Sequence, residues 1–443
     1  MKKIIRQNIG YKWVPYMFIL LFTVITLAIS FWGPLEYYNY KKILVFTYVV
    51  SFLFITWMGT YIGLKSKVKI NKINDEFIEK RRENFRRNIG IVTFVVFFIK
   101  CVLLISSIKI YGIPDASGFL NIMAQTYTQK SLGDFTDTNI FRQIDTFTTF
   151  LYTISVCGVL YDWKKIKKKI KVFMLMNIAL TLIYTLLFLG DQKPFMDVII
   201  YILSAIIVLK IRRGESIFSL KNTIKAIVLL LIVVLFFSSI IMNRRTLWGS
   251  QSMYFGEGLI TLDLEHPSLA LIPDSIKYQV GSFLLYPTMG WYGLSLTLQM
   301  PFQWTYFLGG ARGINNIVSQ FIPNIPYMYD KTYLGRMESQ FGYDGLSNWN
   351  TIFPWLASDF TFIGTLIFMG FIAYVYSKSW KWAIEYDNPV AFIMFSTLNI
   401  MYIYITANNQ LFVQRGSTIA TLVIFGIWIF KSKYYNFKES INN

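Results

Sequence analysis

Charged residues are scarce in this sequence, and histidine and cysteine are scarcer still. Of 443 residues, 15% are charged and 54% are hydrophobic, with one histidine and two cysteines. A soluble domain carries more charge, so this composition is typical of a polytopic membrane protein. One histidine cannot build a histidine-rich zinc site, and the two cysteines show neither disulfide nor metal spacing. Neither H-E-x-x-H nor a phosphate-binding G-x-x-x-x-G-K-S/T motif occurs. The sequence therefore predicts no metal and no cofactor.

Long apolar runs make up most of the chain. A helix needs about 20 apolar residues to cross about 30 Å of hydrocarbon, and lipid offers no partner to unpaired backbone groups. We therefore predict an all-α fold, a polytopic transmembrane helical bundle over residues 1–443 with about ten spans and up to twelve. The predicted spans are Trp13–Phe31, Ile43–Leu64, Ile89–Ile108, Ile144–Tyr161, Val172–Leu189, Pro194–Leu209, Ile224–Ile241, Phe353–Tyr376, Pro389–Thr406 and Ser417–Phe430.

Basic residues are concentrated in alternate connectors between these spans. If the amino terminus is cytoplasmic, the basic connectors 65–87, 164–171 and 210–225 and the tail 431–438 all become cytoplasmic. Both termini are then cytoplasmic, and residues 242–350, between spans seven and eight, form one large extracytoplasmic loop. This topology, together with contact with anionic membrane lipid, explains the net charge of +19, so we predict no nucleic-acid partner.

Part of the loop is itself apolar. Residues 279–300 contain Pro287, Gly290 and Gly293, which argue against a simple transmembrane helix. Broken backbone is tolerated at membrane depth where it lines a cavity. We therefore expect re-entrant or interfacial helices in this loop, and leave open whether residues 279–300 cross the membrane.

Basic side chains on the predicted outer face suggest a site for phosphate. The planar fork of arginine grips phosphate oxygens and neutralises them. Nucleotide motifs are missing, so the expected substrate is a sugar already activated by a lipid diphosphate. Alternatively, these side chains anchor to lipid phosphates or pair with outer carboxylates. The candidates for diphosphate binding are Arg244, Arg245, Arg312, Arg336, Arg415 and Lys193.

Transfer of a sugar to a hydroxyl also needs a group that takes the hydroxyl proton. The candidates for this catalytic role are His266, Asp344 and Asp359. Histidine titrates in the suitable range, although a lone loop histidine is often structural. Asp359 lies in the first turns of a predicted span, where a carboxylate is costly without water or a cation; alternatively it caps that helix.

Two short outer turns carry polar side chains next to span ends. One is GDQKP, with Asp191 at an expected helix cap, and the other is ANNQ, whose amides need partners near membrane depth. We expect these turns to border a polar cavity, although an ordinary hairpin turn is the alternative for GDQKP. The candidates for glycan contact or support are Asp191, Asn350, Trp355, Asn408, Asn409 and Gln410.

Four stretches carry a resemblance to a known family. They are GDQKP, YPTMGWYGLSLTLQMPFQWTYFLGG, NWNTIFPWLASDFTFIGTLIF and YITANNQ. Together they resemble the Wzy-type polymerases of O-antigen and capsular repeat units, over roughly the carboxy-terminal half of the chain. Relatives often have arginine after Gly-Asp, where this chain has Gln192.

The resemblance implies a metal-independent, GT-C-like integral membrane glycosyltransferase. Such an enzyme moves a growing glycan from undecaprenyl diphosphate to the non-reducing end of a lipid-linked repeat unit, at the outer face of the bacterial cytoplasmic membrane. Its implied partners are the undecaprenyl-diphosphate-linked oligosaccharide, membrane lipid, and a flippase and chain-length regulator in the same membrane. The alternatives are an O-antigen-ligase-like enzyme, a repeat-unit flippase or transporter, and a non-catalytic scaffold or lipid receptor.

Overall fold

A computed structural model describes residues 9–66, 75–112, 122, 126, 139–215, 224, 228, 252–322 and 328–435. The predicted span Ile224–Ile241 lies outside the described residues except at positions 224 and 228. Arg244 and Arg245 also lie outside them. At each of the other nine predicted spans the structure has a helix.

Helices account for most of the described chain. We number the α-helices in chain order: α1 (Val14–Trp32), α2 (Lys42–Lys65), α3 (Asp75–Tyr111), α4 (Ile140–Tyr161), α5 (Lys168–Tyr184), α6 (Lys193–Arg212), α7 (Asp274–Thr297), α8 (Arg312–Phe321), α9 (Tyr333–Phe341), α10 (Ile352–Glu385), α11 (Pro389–Ile403) and α12 (Arg415–Lys431). Four short 3₁₀-helices lie at Ile9–Trp13, Pro267–Leu269, Met328–Lys331 and Ser432–Tyr435. A π-helical turn, Thr185–Leu189, extends α5, and α10 is interrupted at Thr361, whose φ is 63°.

Seven helices in the described chain are long and apolar enough to cross a membrane: α1 to α6 and α10. Helices α11 and α12 are shorter, with 15 and 17 residues. The protein is therefore a mainly helical, multi-pass membrane protein, in agreement with the predicted fold class, while the total of ten spans stays a prediction. Glycine at position 59 allows α2 and α10 to pack closely, since a Cβ atom there would overlap the carbonyl of Gly370.

One end of the bundle gathers the basic connectors around Asp387. Its carboxylate forms ion pairs with Arg82 of α3 and Arg212 of α6 and accepts a hydrogen bond of 2.8 Å from the hydroxyl of Tyr161 in α4. Three helix ends and the turn between α10 and α11 therefore meet here. This arrangement agrees with the prediction that the basic connectors share one face.

Both described ends of the chain lie at the same end of the bundle. The indole nitrogen of Trp380 donates to the carbonyl of Tyr11 at 3.1 Å. Near the other terminus, the amide of Asn388 donates to the carbonyl of Ser432 at 2.6 Å. We call this the basic end, and the end that carries residues 252–322 and 328–351 the opposite end.

Residues 252–322 and 328–343 form a folded cap on the opposite end. Three short strands, β1 (Leu35–Tyr37), β2 (Tyr254–Phe255) and β3 (Ile260–Leu262), form an antiparallel sheet in the order β1-β3-β2. Under them is a separate apolar cluster that includes Leu285, Tyr333 and Tyr343. The sequence did not predict this sheet, because strands of two or three residues are too short to show alternation.

Helix α7 differs from the prediction for residues 279–300. It is continuous from Asp274 to Thr297 with Pro287 inside it, so the expected break in the backbone is wrong. The glycines serve close packing instead, because a Cβ atom on Gly290 would overlap the carbonyl of Thr406, and one on Gly293 the amide oxygen of Asn350. Helix α7 is not among the seven helices suited to spanning.

Candidate functional site

A cavity of about 510 Å³ lies between the helices towards the opposite end. The described residues that line it come from α3, α4, α5, α6, α8, α11 and α12. Its charged lining residues are Lys100, Arg142, Lys193, Arg312, Arg415, Asp145, Asp191 and Asp197. Five cations and three carboxylates leave this lining with a net charge of +2. We call it the basic cavity.

Two of the arginines stand at the beginnings of helices. Arg312 is the first residue of α8 and Arg415 the first residue of α12. Unpaired N–H groups give a helix N-terminus partial positive charge, which adds to that of the guanidinium groups and favours an anion. Arg312 and Arg415 are far apart in sequence, but both line this cavity.

A glycine after each of these arginines allows the two helices to approach. A Cβ atom on Gly313 would overlap the hydroxyl of Thr418, and its N–H donates to the carbonyl of Phe412 at 2.8 Å. A Cβ atom on Gly416 would lie 2.8 Å from the hydroxyl of Thr149 in α4. Glycine at these two positions therefore lets α8, α12 and α4 close around the cavity.

Two ion pairs neutralise part of the lining. The Nζ atom of Lys100 lies 2.7 Å from Oδ1 of Asp145, and that of Lys193 lies 2.6 Å from Oδ2 of Asp197. The first pair joins α3 to α4. Apart from these two pairs, the charged lining residues are Arg142, Arg312, Arg415 and Asp191, which together carry the net charge of +2.

A second cavity of about 500 Å³ adjoins the first. Both are lined by Asp191, Lys193, Val413 and Gln414, so the GDQKP turn and the chain before α12 separate them. The second cavity brings together aromatic and amide side chains, namely Phe255, Tyr286, Trp349, Gln192, Asn348, Asn408 and Gln410. We call it the aromatic cavity. Of the carboxylates in the described linings, Asp191 is the one common to both cavities.

Asp191 does not cap α6 as the sequence suggested. The N-cap position is Gln192, without a side-chain cap, and Pro194 occupies the first turn as predicted. Gly190 ends the preceding π-helical turn with φ at 63°, a conformation that glycine adopts without strain. This turn reverses the chain and presents Asp191 at the boundary of the two cavities.

Asp359 anchors a loop. Its carboxylate accepts hydrogen bonds from the hydroxyl of Thr305, from the N–H of Gly309 at 3.3 Å and from the N–H of Gly310 at 2.6 Å. It is 7% exposed and is not among the described residues that line either cavity. Asp359 does not cap α10, whose N-cap is Thr351. Both carboxylate oxygens of Asp359 accept hydrogen bonds from the loop, so its contacts are those of a structural residue.

His266 and Asp344 lie in local turns of the cap. The Nδ1 atom of His266 accepts from the N–H of Ser268 at 3.2 Å and so begins a 3₁₀-helix. Asp344 accepts from the N–H of Leu346 at 2.8 Å and from the hydroxyl of Ser347. Neither residue belongs to the described lining of the two cavities, and the contacts of both are those of structural turn residues.

Arg336 is separate from the other predicted phosphate ligands. It is 8% exposed, and its guanidinium group donates to the carbonyls of Pro301 at 2.9 Å, Lys331 at 3.2 Å and Thr332 at 3.3 Å. Burial lowers the pKa of Arg336 below its ordinary value. The predicted diphosphate set thus divides: Arg312, Arg415 and Lys193 meet in the basic cavity, and Arg336 holds backbone together in the cap.

Replacing Arg336 with alanine is expected to destabilise the cap. The change removes three hydrogen bonds and the packing of a buried side chain, for which we expect a loss of about 2–4 kcal/mol. The measurement is thermal unfolding in detergent, with Lys331→Ala as the control because only its backbone carbonyl contacts Arg336. An unchanged melting temperature accompanied by weaker lipid-diphosphate binding would contradict this assignment.

The amide candidates occupy two kinds of position: some line the aromatic cavity, and the others are buried and donate to backbone carbonyls. Asn408 and Gln410 line the aromatic cavity, whereas buried Asn409 donates to the carbonyl of Gly310 at 2.9 Å. Asn350 is also buried and donates to the carbonyl of Gly345 at 3.1 Å. Trp355 is 1% exposed, so it supports the core and does not reach a ligand in this conformation.

Several lining residues were outside the predicted set. They include Lys100, Asp145 and Asp197, whereas Lys193, the partner of Asp197, was a candidate. Because Lys100 pairs with Asp145 and Lys193 with Asp197 within or beside membrane helices, a search for matched charges in spans could have found them. Trp349 was also not among the predicted site residues. Its contribution to a cavity depends on how the cap folds back onto α7.

No protein-family model matches this chain, and no curated protein or solved structure matches it at a significant level. Within the described part of the chain, no group of three or more His, Cys, Asp or Glu side chains is arranged to hold a metal ion. The chemistry of the site is therefore argued from the side chains that line the two cavities.

Proposed function

We propose that this protein is a membrane glycosyltransferase that polymerises lipid-linked glycan repeat units. It transfers a growing glycan from undecaprenyl diphosphate to the non-reducing end of a second lipid-linked repeat unit. The observation that carries the proposal is the basic cavity, where Arg312, Arg415 and Arg142 converge between membrane helices with a net positive lining. A diphosphate on a lipid is an anion that arrives at this depth, and arginine forks suit its oxygens.

The positive-inside rule supports an outer location for the reaction. The basic end, with Arg82, Arg212 and the connectors around Asp387, faces the cytoplasm under this rule. The two cavities then lie towards the outer face of the bacterial cytoplasmic membrane. ATP and nucleotide sugars are scarce there, which favours a donor that already carries its leaving group.

The proposed step exchanges one carbon–oxygen bond for another. The acceptor hydroxyl attacks the anomeric carbon of the donor glycan, and the bond from that carbon to the diphosphate breaks with its electron pair on the diphosphate. The arginines stabilise the charge that develops on the leaving group. The hydroxyl proton passes to the carboxylate of Asp191, because donor and acceptor must meet where the two cavities adjoin.

A second candidate function, transport of the lipid-linked unit, is favoured by one observation. The pairs Lys100–Asp145 and Lys193–Asp197 lie on membrane helices and line a cavity, as charged pairs along transport paths do. In a transporter these pairs would separate during alternating access. In a polymerase they hold the cavity wall in place.

The deciding experiment uses the full-length protein in liposomes with purified lipid-linked repeat unit. The polymerase should produce a ladder of lengthening glycans without nucleotide or added metal. A lipid that crosses the bilayer without any change in glycan length would overturn the polymerase proposal in favour of transport. Protein-free liposomes and liposomes with heat-inactivated protein are the controls.

A further inference from the structure

The aromatic cavity has the composition of a carbohydrate site. Tyr286 of α7 and Trp349 lie with ring centroids 5.6 Å apart and ring planes at 51°. Both side chains are half-buried and line the cavity. Partly exposed aromatic rings offer a sugar a flat apolar surface with little loss of side-chain freedom.

Amide side chains supply the polar part of the same cavity. Asn348, Asn408 and Gln410 line it together with the aromatic pair. Each amide both donates and accepts hydrogen bonds, which matches sugar hydroxyls that also do both. The amide of Asn348 is oriented by its own bonds, since Nδ2 donates to Oε2 of Glu257 at 2.8 Å and to the carbonyl of Asp344 at 3.0 Å.

The position of this cavity relates it to the basic cavity. Asp191 and Lys193 line both cavities, so the two cavities meet at these residues. A sugar seated on the aromatic pair can therefore present a hydroxyl at this boundary. The diphosphate of the donor would approach the same boundary from the arginine side.

We propose that the aromatic cavity is the saccharide site for the acceptor, in which Trp349 and Tyr286 form the surface for the terminal sugar ring and Asn408 and Gln410 bind its hydroxyls. This inference rests on the proposed function. It adds that the acceptor is recognised by its uncharged sugar and not by its diphosphate. The isolated oligosaccharide, without lipid, should then bind on its own.

Saturation-transfer NMR tests this proposal with the full-length protein in nanodiscs and the free repeat-unit oligosaccharide as the probe. Saturating protein aromatic protons should transfer signal to the protons of the terminal sugar. Trp349→Ala should weaken binding at least about tenfold, as loss of a central tryptophan contact does. Tyr286→Ala should act in the same direction and serves as the second variant if Trp349→Ala folds poorly.

Trp304→Ala is the matched control. Trp304 also pairs with a tyrosine, Tyr306, at a centroid distance of 4.7 Å, but it is 47% exposed and is not among the described lining residues of either cavity. Binding should be unchanged in this variant. Equal loss in Trp304→Ala and Trp349→Ala would overturn the acceptor site, as would a ladder-forming wild type that shows no transfer from aromatic protons. A missing ladder with intact, Trp349-dependent sugar binding would instead overturn the polymerase and keep the saccharide site.

Discussion

Polymer formation should collapse when Arg312 and Arg415 are replaced by alanine. Each guanidinium group stabilises the departing diphosphate, and removal of one such group from a preorganised site costs about 10²–10³ in rate. Because both arginines act on the same anion, the double variant should lose less than the product of the single effects. The measurement is the initial rate of ladder formation in liposomes, with folding checked by thermal unfolding.

Two kinds of control variant test whether the loss of rate comes from the guanidinium groups in the basic cavity. Arg312→Lys and Arg415→Lys keep the charge but lose the planar fork, so intermediate rates are expected. Arg213→Ala is the matched control, since Arg213 follows α6 at the basic end and pairs with Glu215 at 3.7 Å. Full activity in Arg312→Ala and Arg415→Ala together would remove the diphosphate site from the basic cavity.

Asp191→Asn should abolish transfer while leaving both substrates bound. Asparagine has nearly the same shape as aspartate, but it cannot take a proton from the acceptor hydroxyl. The loss of a positioned base typically costs about 10²–10⁴ in rate. The measurements are the rate of ladder formation and, separately, saccharide binding by NMR, which should be unchanged.

The control for Asp191 is another aspartate at the opposite end of the bundle. Asp330, in the 3₁₀-helix Met328–Lys331, is exposed and is not among the described residues lining either cavity, so Asp330→Asn should behave as wild type. Asp191→Glu keeps a carboxylate at this position and should restore part of the rate. A normal rate in Asp191→Asn would show that Asp191 is not the base.

Helix positions could be read from the sequence because they depend on local composition. The apolar run that predicts Ile144–Tyr161 becomes α4, Ile140–Tyr161, and the run Pro194–Leu209 becomes α6, Lys193–Arg212. Each run must bury its backbone polar groups within its own helix in lipid. The boundaries of these two helices differ from the predicted ones by only a few residues, whereas α3 begins at Asp75, well before the predicted Ile89, because its first turns are polar and carry no hydropathy signal.

The roles of individual polar residues could not be read in the same way. Asp359 and Asp191 both stand near the ends of apolar runs, and sequence context favoured Asp359 for chemistry. In the structure Asp359 is surrounded by donors from Thr305, Gly309 and Gly310, whereas Asp191 faces two cavities. The difference arises from residues distant along the chain, so no local pattern records it.

The apolar runs of the sequence are sufficient to predict a multi-pass helical membrane protein. Which arginines meet depends on how the helices pack. Arg312 and Arg415 converge because the glycines beside them allow α8, α12 and α4 to touch. Arg336 instead donates hydrogen bonds to backbone carbonyls in the cap. Hydropathy is a property of each segment alone, whereas a cavity exists only between segments, and its lining depends on contacts that packing creates.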